Sequence, residues 1–167
     1  MVLTKSELLA SLNNEVRILL HLADKVTPAD LDYRPTPGQR STLELLRYLT
    51  IMGPALLECG KTGRFDAEAW TKAEKGAEAH DFDHAVAAIA AHPGFYEAIL
   101  ADMSDEDFRA EVDLFGQKQS RGFFIVNQVI CACAAYRTQL FLYLKACGHA
   151  ELNTMNLWAG VDPTPTT

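Results

Sequence analysis

Histidine is the residue here whose spacing bears most directly on chemistry, and the five are His21, His80, His84, His92 and His149. Only His80 and His84 stand four apart, the interval that turns two imidazole lone pairs toward one ion from a single helix face. They fall where a polar connector meets an acidic helix start, so the pair reads as solvated, with adventitious metal capture as the alternative. His21 lies off the apolar stripe of its helix and reads as structural. The four cysteines, Cys59, Cys131, Cys133 and Cys147, include no C-x-x-C pair. Cys131 and Cys133 are two apart on a helix and point to nearly opposite sides, so they cannot act together. All four read as buried, reduced thiols, because free cysteine packs as a small hydrophobe and no base stands near enough in sequence to activate one. The nucleophile-elbow pattern G-x-S-x-G, a glycine loop for phosphates and H-E-x-x-H are all missing.

The elements that must position these residues are helical. Thr4 with Glu7 has capping-box spacing, and Leu8, Leu12, Val16, Leu19 and Ala23 repeat at three and four residues, predicting helix one as far as Val26. Thr27-Pro28-Ala29-Asp30 predicts a short second start. The loop Tyr33–Arg40 carries two prolines and a glycine, and Ser41 with Glu44 predicts the start of helix two, which Gly53-Pro54 is expected to kink or end. From Gly60 to His80 the chain is a polar connector, with a surface helix over Asp66 to Ala79. Helix three follows from Asp81 or Asp83 to Leu100, with a kink at His92-Pro93-Gly94. Ser104–Asp107 opens a short turn and Leu114–Arg121 reads as a loop. Helix four, Ser120 to Cys147 with Gly148 as its C-cap, is apolar nearly all round, which places it in the middle of a bundle or in a subunit interface. The tail, Glu151 to Thr167, reads as irregular. No strand alternation stands out, so the expected fold is an all-α four-helix bundle in one domain, residues 1–167.

Bulk properties exclude several partners. The chain has 167 residues, 49% hydrophobic and 22% charged, a globular mix long enough for its own core. Its net charge is -7, from 15 Lys+Arg against 22 Asp+Glu, without a basic run, so no nucleic-acid partner is expected. No stretch is long and apolar enough for a bilayer and the first residues lack a secretory h-region, so no membrane partner is expected and the expected location is the cytoplasm.

Two segments carry a family resemblance: Tyr33-Arg34-Pro35-Thr36-Pro37-Gly38-Gln39-Arg40-Ser41-Thr42-Leu43-Glu44-Leu45-Leu46-Arg47-Tyr48-Leu49, and Tyr136-Arg137-Thr138-Gln139-Leu140 with Tyr143-Leu144-Lys145-Ala146-Cys147-Gly148. In order and spacing they resemble the proline-rich loop into helix two, and the end of the last helix, of the DinB/YfiT-like superfamily. That resemblance implies a four-helix bundle, often dimeric, with a divalent metal held by three histidines. The matching positions here are Tyr48, Ala132 and Tyr136, with Arg137 and Gln139 one helical step away. A methyl cannot bind a metal, and neutral phenols are poor ligands beside imidazoles, so the inherited metal site is expected to be absent and no cofactor is expected. The two phenols then either plug the space a metal once filled, donate to a small molecule in a pocket, or serve a general acid.

Two functions compete on these residues. One is a metal-free bundle that forms a homodimer and binds a small apolar ligand. The other is an enzyme, a metal-dependent or metal-free transferase or hydrolase acting on a thiol or another small molecule, of the sort the resemblance implies. The first is preferred, because without three imidazoles there is no Lewis acid to activate thiol or water.

Overall fold

The computed structural model describes residues 3–163, so residues 164–167 of the expected irregular tail lie outside the described residues. The first helix, α1 (Lys5–Ala23), starts on the Thr4–Glu7 capping box, its Thr4 amide bonded to the Glu7 carboxylate at 2.8 Å. It buries Leu8, Leu12, Val16, Leu19 and Leu22 on one stripe and ends three residues before Val26. A single 3₁₀ turn, Pro28–Asp30, follows. Then α2 (Thr42–Thr62) starts on the reciprocal Ser41–Glu44 box and closes on Gly63, whose φ of 70° suits a left-handed cap.

α2 runs on through Pro54, so the helix does not end at Gly53-Pro54, and the reason lies in another element. Proline has no amide hydrogen to return to the carbonyl four residues back, which leaves the Thr50 oxygen without its helical donor. The His92 imidazole supplies one from across the bundle, its Nε2 lying 2.9 Å from that oxygen. Gly53 completes the arrangement: a side chain there would overlap the Tyr96 hydroxyl, which sits against this turn.

Past a surface helix, α3 (Ala67–Ala77), the third segment of the bundle divides into α4 (Phe82–Ala90) and α5 (His92–Leu100). The break falls at Ala91, where the expected kink becomes two helices. A one-and-a-half-turn helix, α6 (Asp105–Arg109), capped by Ser104, leads to an antiparallel hairpin of β1 (Glu111–Leu114) and β2 (Gln117–Ser120). This corrects the expectation of a loop over 114–121 and of a fold without strands. Val112 and Leu114 alternate inward, and Phe115 and Gly116 turn the chain with φ of 55° and 76°.

The fourth segment starts as α7 (Arg121–Ile125), widens into a π-helical stretch over Val126–Ile130, and continues as α8 (Cys131–Ala146). Its inner residues Phe124, Ile125, Val129, Leu140 and Leu144 meet Leu45, Leu46, Leu49, Met52 and Leu57 of α2 and the α1 stripe in one core. The tail is not irregular throughout: Met155–Ala159 forms a π-helical turn closed by Gly160. Arg17 donates to the Gly160 and Ala159 carbonyls, and the buried Asn156 amide lies 3.1 Å from His21 Nε2. The fold is therefore an all-α bundle of four segments carrying one small hairpin.

Candidate functional site

The N-terminal half of α2 and the first turns of α8 bring two of the expected residues together. Tyr48 and Tyr136 meet edge to face with ring centroids 5.2 Å apart, and both are half-buried against the core. Trp70 of α3 packs on the outer side of Tyr48 at 6.1 Å, while the Arg40 guanidinium lies over the Tyr48 ring, 4.0 Å from its centre. Ala132 is partly buried one turn before Tyr136 and packs on the same core.

Tyr48 lines a groove between α2 and α3 with a cavity volume of ≈ 520 Å³. Arg40, Arg47 and Lys75 line it together with Glu44, Glu74 and Glu78. Among the described residues none of these three cations makes a salt bridge. Glu44, in contrast, is committed: the Ser41 amide holds its carboxyl below the ordinary carboxylate range against the effect of burial, with help from Arg34 at 3.1 Å. Arg47 donates through Nε to the His80 carbonyl at 2.6 Å, tying α2 to the end of the connector.

The other two expected neighbours point elsewhere. Arg137 is buried on the opposite side of α8, paired with Glu15 of α1 at 3.1 Å, bonded to the Leu157 carbonyl and 5.5 Å from the Trp158 ring centre. Burial pushes the Glu15 carboxyl upward against the pull of Arg137. Gln139 donates to the Tyr143 hydroxyl, which in turn donates to the Arg40 carbonyl at 3.0 Å, so it braces the loop before α2. Arg137 is one residue from Tyr136, a turn of 100° around the axis, which carries it off the groove side, while Gln139, three residues on, is taken up by the Tyr143 hydroxyl.

The positions that the family resemblance assigns to metal ligands do not fit a metal. Burial, together with the adjoining Tyr136 phenol, raises the Tyr48 phenol above its ordinary value, so it holds its proton more firmly than a free tyrosine. Ala132 offers no lone pair. Among the described residues no three His, Cys, Asp or Glu side chains converge on one point. His84 is solvated and bonded to Asp81 at 2.7 Å, but His80 is partly buried with an unpartnered Nδ1, so the two do not form a wholly solvated pair. His149 bridges Asp30 at 2.9 Å and Glu151 at 3.3 Å.

Cysteine placement also departs from expectation. Cys59 is buried and its thiol is pushed up to about 11 by burial, but Cys131 is exposed and Cys147 is half-exposed. Burial pushes the Cys133 thiol up to about 12, and burial and the Asp30 carboxylate raise Cys147. Thiols held protonated in this way are poor nucleophiles at neutral pH.

Sequence reasoning missed one buried polar chain. Because the Thr50 carbonyl can only accept, His92 Nε2 carries the hydrogen and Nδ1 accepts from the Tyr96 hydroxyl at 3.2 Å. Burial lowers the imidazole below its ordinary value, with the Thr50 bond opposing. The available signal was Pro54 itself, which demands a substitute donor, though nothing in the sequence names His92 as its source.

Solved structures share this fold, and two of them are DinB-like proteins. One is a DinB-like protein, YjoA, from Bacillus subtilis, with a TM-score of 0.66 and 17% identity over 87% of this chain and 95% of that one. The other is a DinB-like protein from Bacillus cereus, with a TM-score of 0.70 and 17% identity over 89% and 95%. No protein-family model matches the chain, and no curated protein matches it. The protein has the DinB-like fold.

Proposed function

We propose that this bundle is a metal-free binding protein that takes a small organic molecule in the groove between α2 and α3, with Tyr48 as its aromatic wall. The supporting observation is the Tyr48 ring in the lining of a ≈ 520 Å³ groove that also carries Arg40, Arg47 and Lys75, none of them in a salt bridge among the described residues, with the Arg40 guanidinium over the ring. That volume suits a small ligand, and an aromatic face beside unpaired guanidinium and ammonium groups suits a planar body with an anionic end. This refines the expectation of a wholly apolar ligand. Trp70 supplies the readout, because the chain has two tryptophans and the other, Trp158, lies on the tail. In a Trp158→Phe background, 2-naphthoate should quench Trp70 fluorescence saturably, and Tyr48→Leu should weaken binding at least about tenfold. No saturable quenching at millimolar ligand, or equal affinity in Tyr48→Leu, would refute this reading.

The same proposal includes a homodimer formed through the outer face of the Val126–Ile130 stretch and α8. Asn127, Gln128, Cys131, Ala135, Leu142 and Ala146 are exposed there and none is charged, while Leu142 is 58% exposed. In a chain of net charge -7, an uncharged strip is where two copies approach with least repulsion. Sedimentation should give twice 18.4 kDa at micromolar concentration, and Leu142→Glu should give the monomer. A wild-type monomer would refute the dimer. Among the described residues no helix is long and apolar enough to cross a membrane, and the four thiols are free, which suits a reducing compartment such as the cytoplasm.

A further inference from the structure

A second cavity, ≈ 370 Å³, opens where the start of α1 meets α6 and α7. Its walls are Leu3, Leu8, Phe108, Phe123 and Val126, and Lys5 and Arg109 stand among its lining residues. Val126 precedes Tyr136 by ten residues, about 15 Å along the helix, so this cavity is separate from the Tyr48 groove. Phe123 is 55% exposed, an aromatic ring left open to water at the mouth of an apolar recess.

The electrostatics select among apolar occupants. Lys5 Nζ donates to the Ala101 and Met103 carbonyls at 2.7 and 3.1 Å, and among the described residues neither Lys5 nor Arg109 has a carboxylate within salt-bridge distance. Nearby acids are engaged elsewhere: Glu7 with the Thr4 amide and hydroxyl, Asp107 with those of Ser104, and Asp102, whose carboxyl Lys5 also helps to lower, with Lys61 at 2.7 Å. A greasy recess whose lining carries two cations and no carboxylate, on a chain of net charge -7, favours a ligand with an apolar tail and an anionic head. Gly122 shapes the recess, since a Cβ there would come within 3.1 Å of the Phe108 carbonyl and force the two segments apart.

We infer that this cavity binds a free amphipathic carboxylate, its alkyl chain between Phe108, Phe123 and Val126 and its head group on Arg109 and Lys5. Decanoate is the probe, titrated calorimetrically below its micelle concentration. Each methylene buried strengthens binding about fourfold, so octanoate should bind roughly 15-fold more weakly. Decanol should lose about tenfold through the missing charge-assisted bond, and Arg109→Gln should cost decanoate a similar factor while leaving decanol unchanged. Val126→Phe, which fills the recess with apolar bulk, should weaken both ligands, whereas Tyr48→Leu should affect neither. Because Lys5 also ties α1 to the turn after α5, its variants are not used. The inference is overturned if decanoate does not bind saturably, if Arg109→Gln and Val126→Phe bind it as the wild type does, or if Tyr48→Leu abolishes binding. Equal affinity for decanoate and decyltrimethylammonium would overturn it as well, as would association with anionic phosphatidylglycerol vesicles in the absence of any decanoate binding.

Discussion

Replacing His92 by Phe keeps a ring of similar size in the bundle and removes both nitrogens. The Thr50 carbonyl then loses the donor that stands in for the missing Pro54 amide, and the Tyr96 hydroxyl loses its acceptor. Each buried group left orphaned costs about 1–3 kcal/mol, so the pair predicts a loss of roughly 2–5 kcal/mol. At this chain length that is a fall in Tm of about 5–15 °C. Pro54→Ala restores a backbone N–H directed at Thr50, so in that background the same His92→Phe change should cost about 1–2 kcal/mol less. Urea unfolding followed by circular dichroism at pH 7.5 measures all four corners of the cycle. A coupling below about 0.5 kcal/mol would refute the idea that the imidazole replaces the helical hydrogen bond. The pH dependence supplies a second check. The folded imidazole titrates below 6.5 because burial disfavours its charge, so the unfolded chain binds the extra proton first. Stability is therefore complete above about 6.5 and falls as pH drops through the folded value, and His92→Phe should flatten that limb.

Three further outcomes follow from the same structure. Gly53→Ala should destabilise the fold by about 1–3 kcal/mol through overlap with the Tyr96 hydroxyl, and Tyr96→Phe should recover part of that loss; equal melting of Gly53→Ala and wild type would contradict the packing. Burial of the Asp30 carboxyl is outweighed by the Thr27 amide and hydroxyl and by His149, which hold it below its ordinary value. Its stabilisation is present above about pH 4 and lost as pH falls through the folded value. Asp30→Asn should cost about 1–3 kcal/mol at neutral pH and blunt the acid limb, both measurable by denaturant unfolding. Tyr48→Phe and Tyr136→Phe should each cost no more than about 1.5 kcal/mol, since ring packing is kept, while a larger loss in thermal unfolding would mean that the hydroxyls carry the site.

Legibility in the sequence followed the range of the interaction. Capping boxes at Thr4–Glu7 and Ser41–Glu44 are local and mark two helix starts directly. The pairing of Tyr48 with Tyr136 was readable only through the family resemblance, because no periodicity joins residues so far apart. The run of α2 through Pro54 depends on His92 from another segment, and local rules applied to Gly53-Pro54 predict a break. The hairpin was missed because Val112 and Leu114 are its only inward pair, and Phe115-Gly116 lacks the Asn-Gly signature of a two-residue turn. Arg137 was misplaced for a directional reason: its charge is satisfied by Glu15 and the tail, on the side of α8 away from the tyrosines. The order in the tail rests on Asn156 and Gly160 meeting α1, a contact that composition does not disclose.

The central proposal is that phenols and a methyl, at the positions the family resemblance assigns to metal ligands, make a site for an organic ligand and not for an ion. Its most direct test is metal content by mass spectrometry after overnight exposure to equimolar Zn, Ni and Mn followed by dialysis. Well below 0.1 ion per chain is expected. One ion per chain that disappears in Tyr48→Phe or Tyr136→Phe would contradict the account.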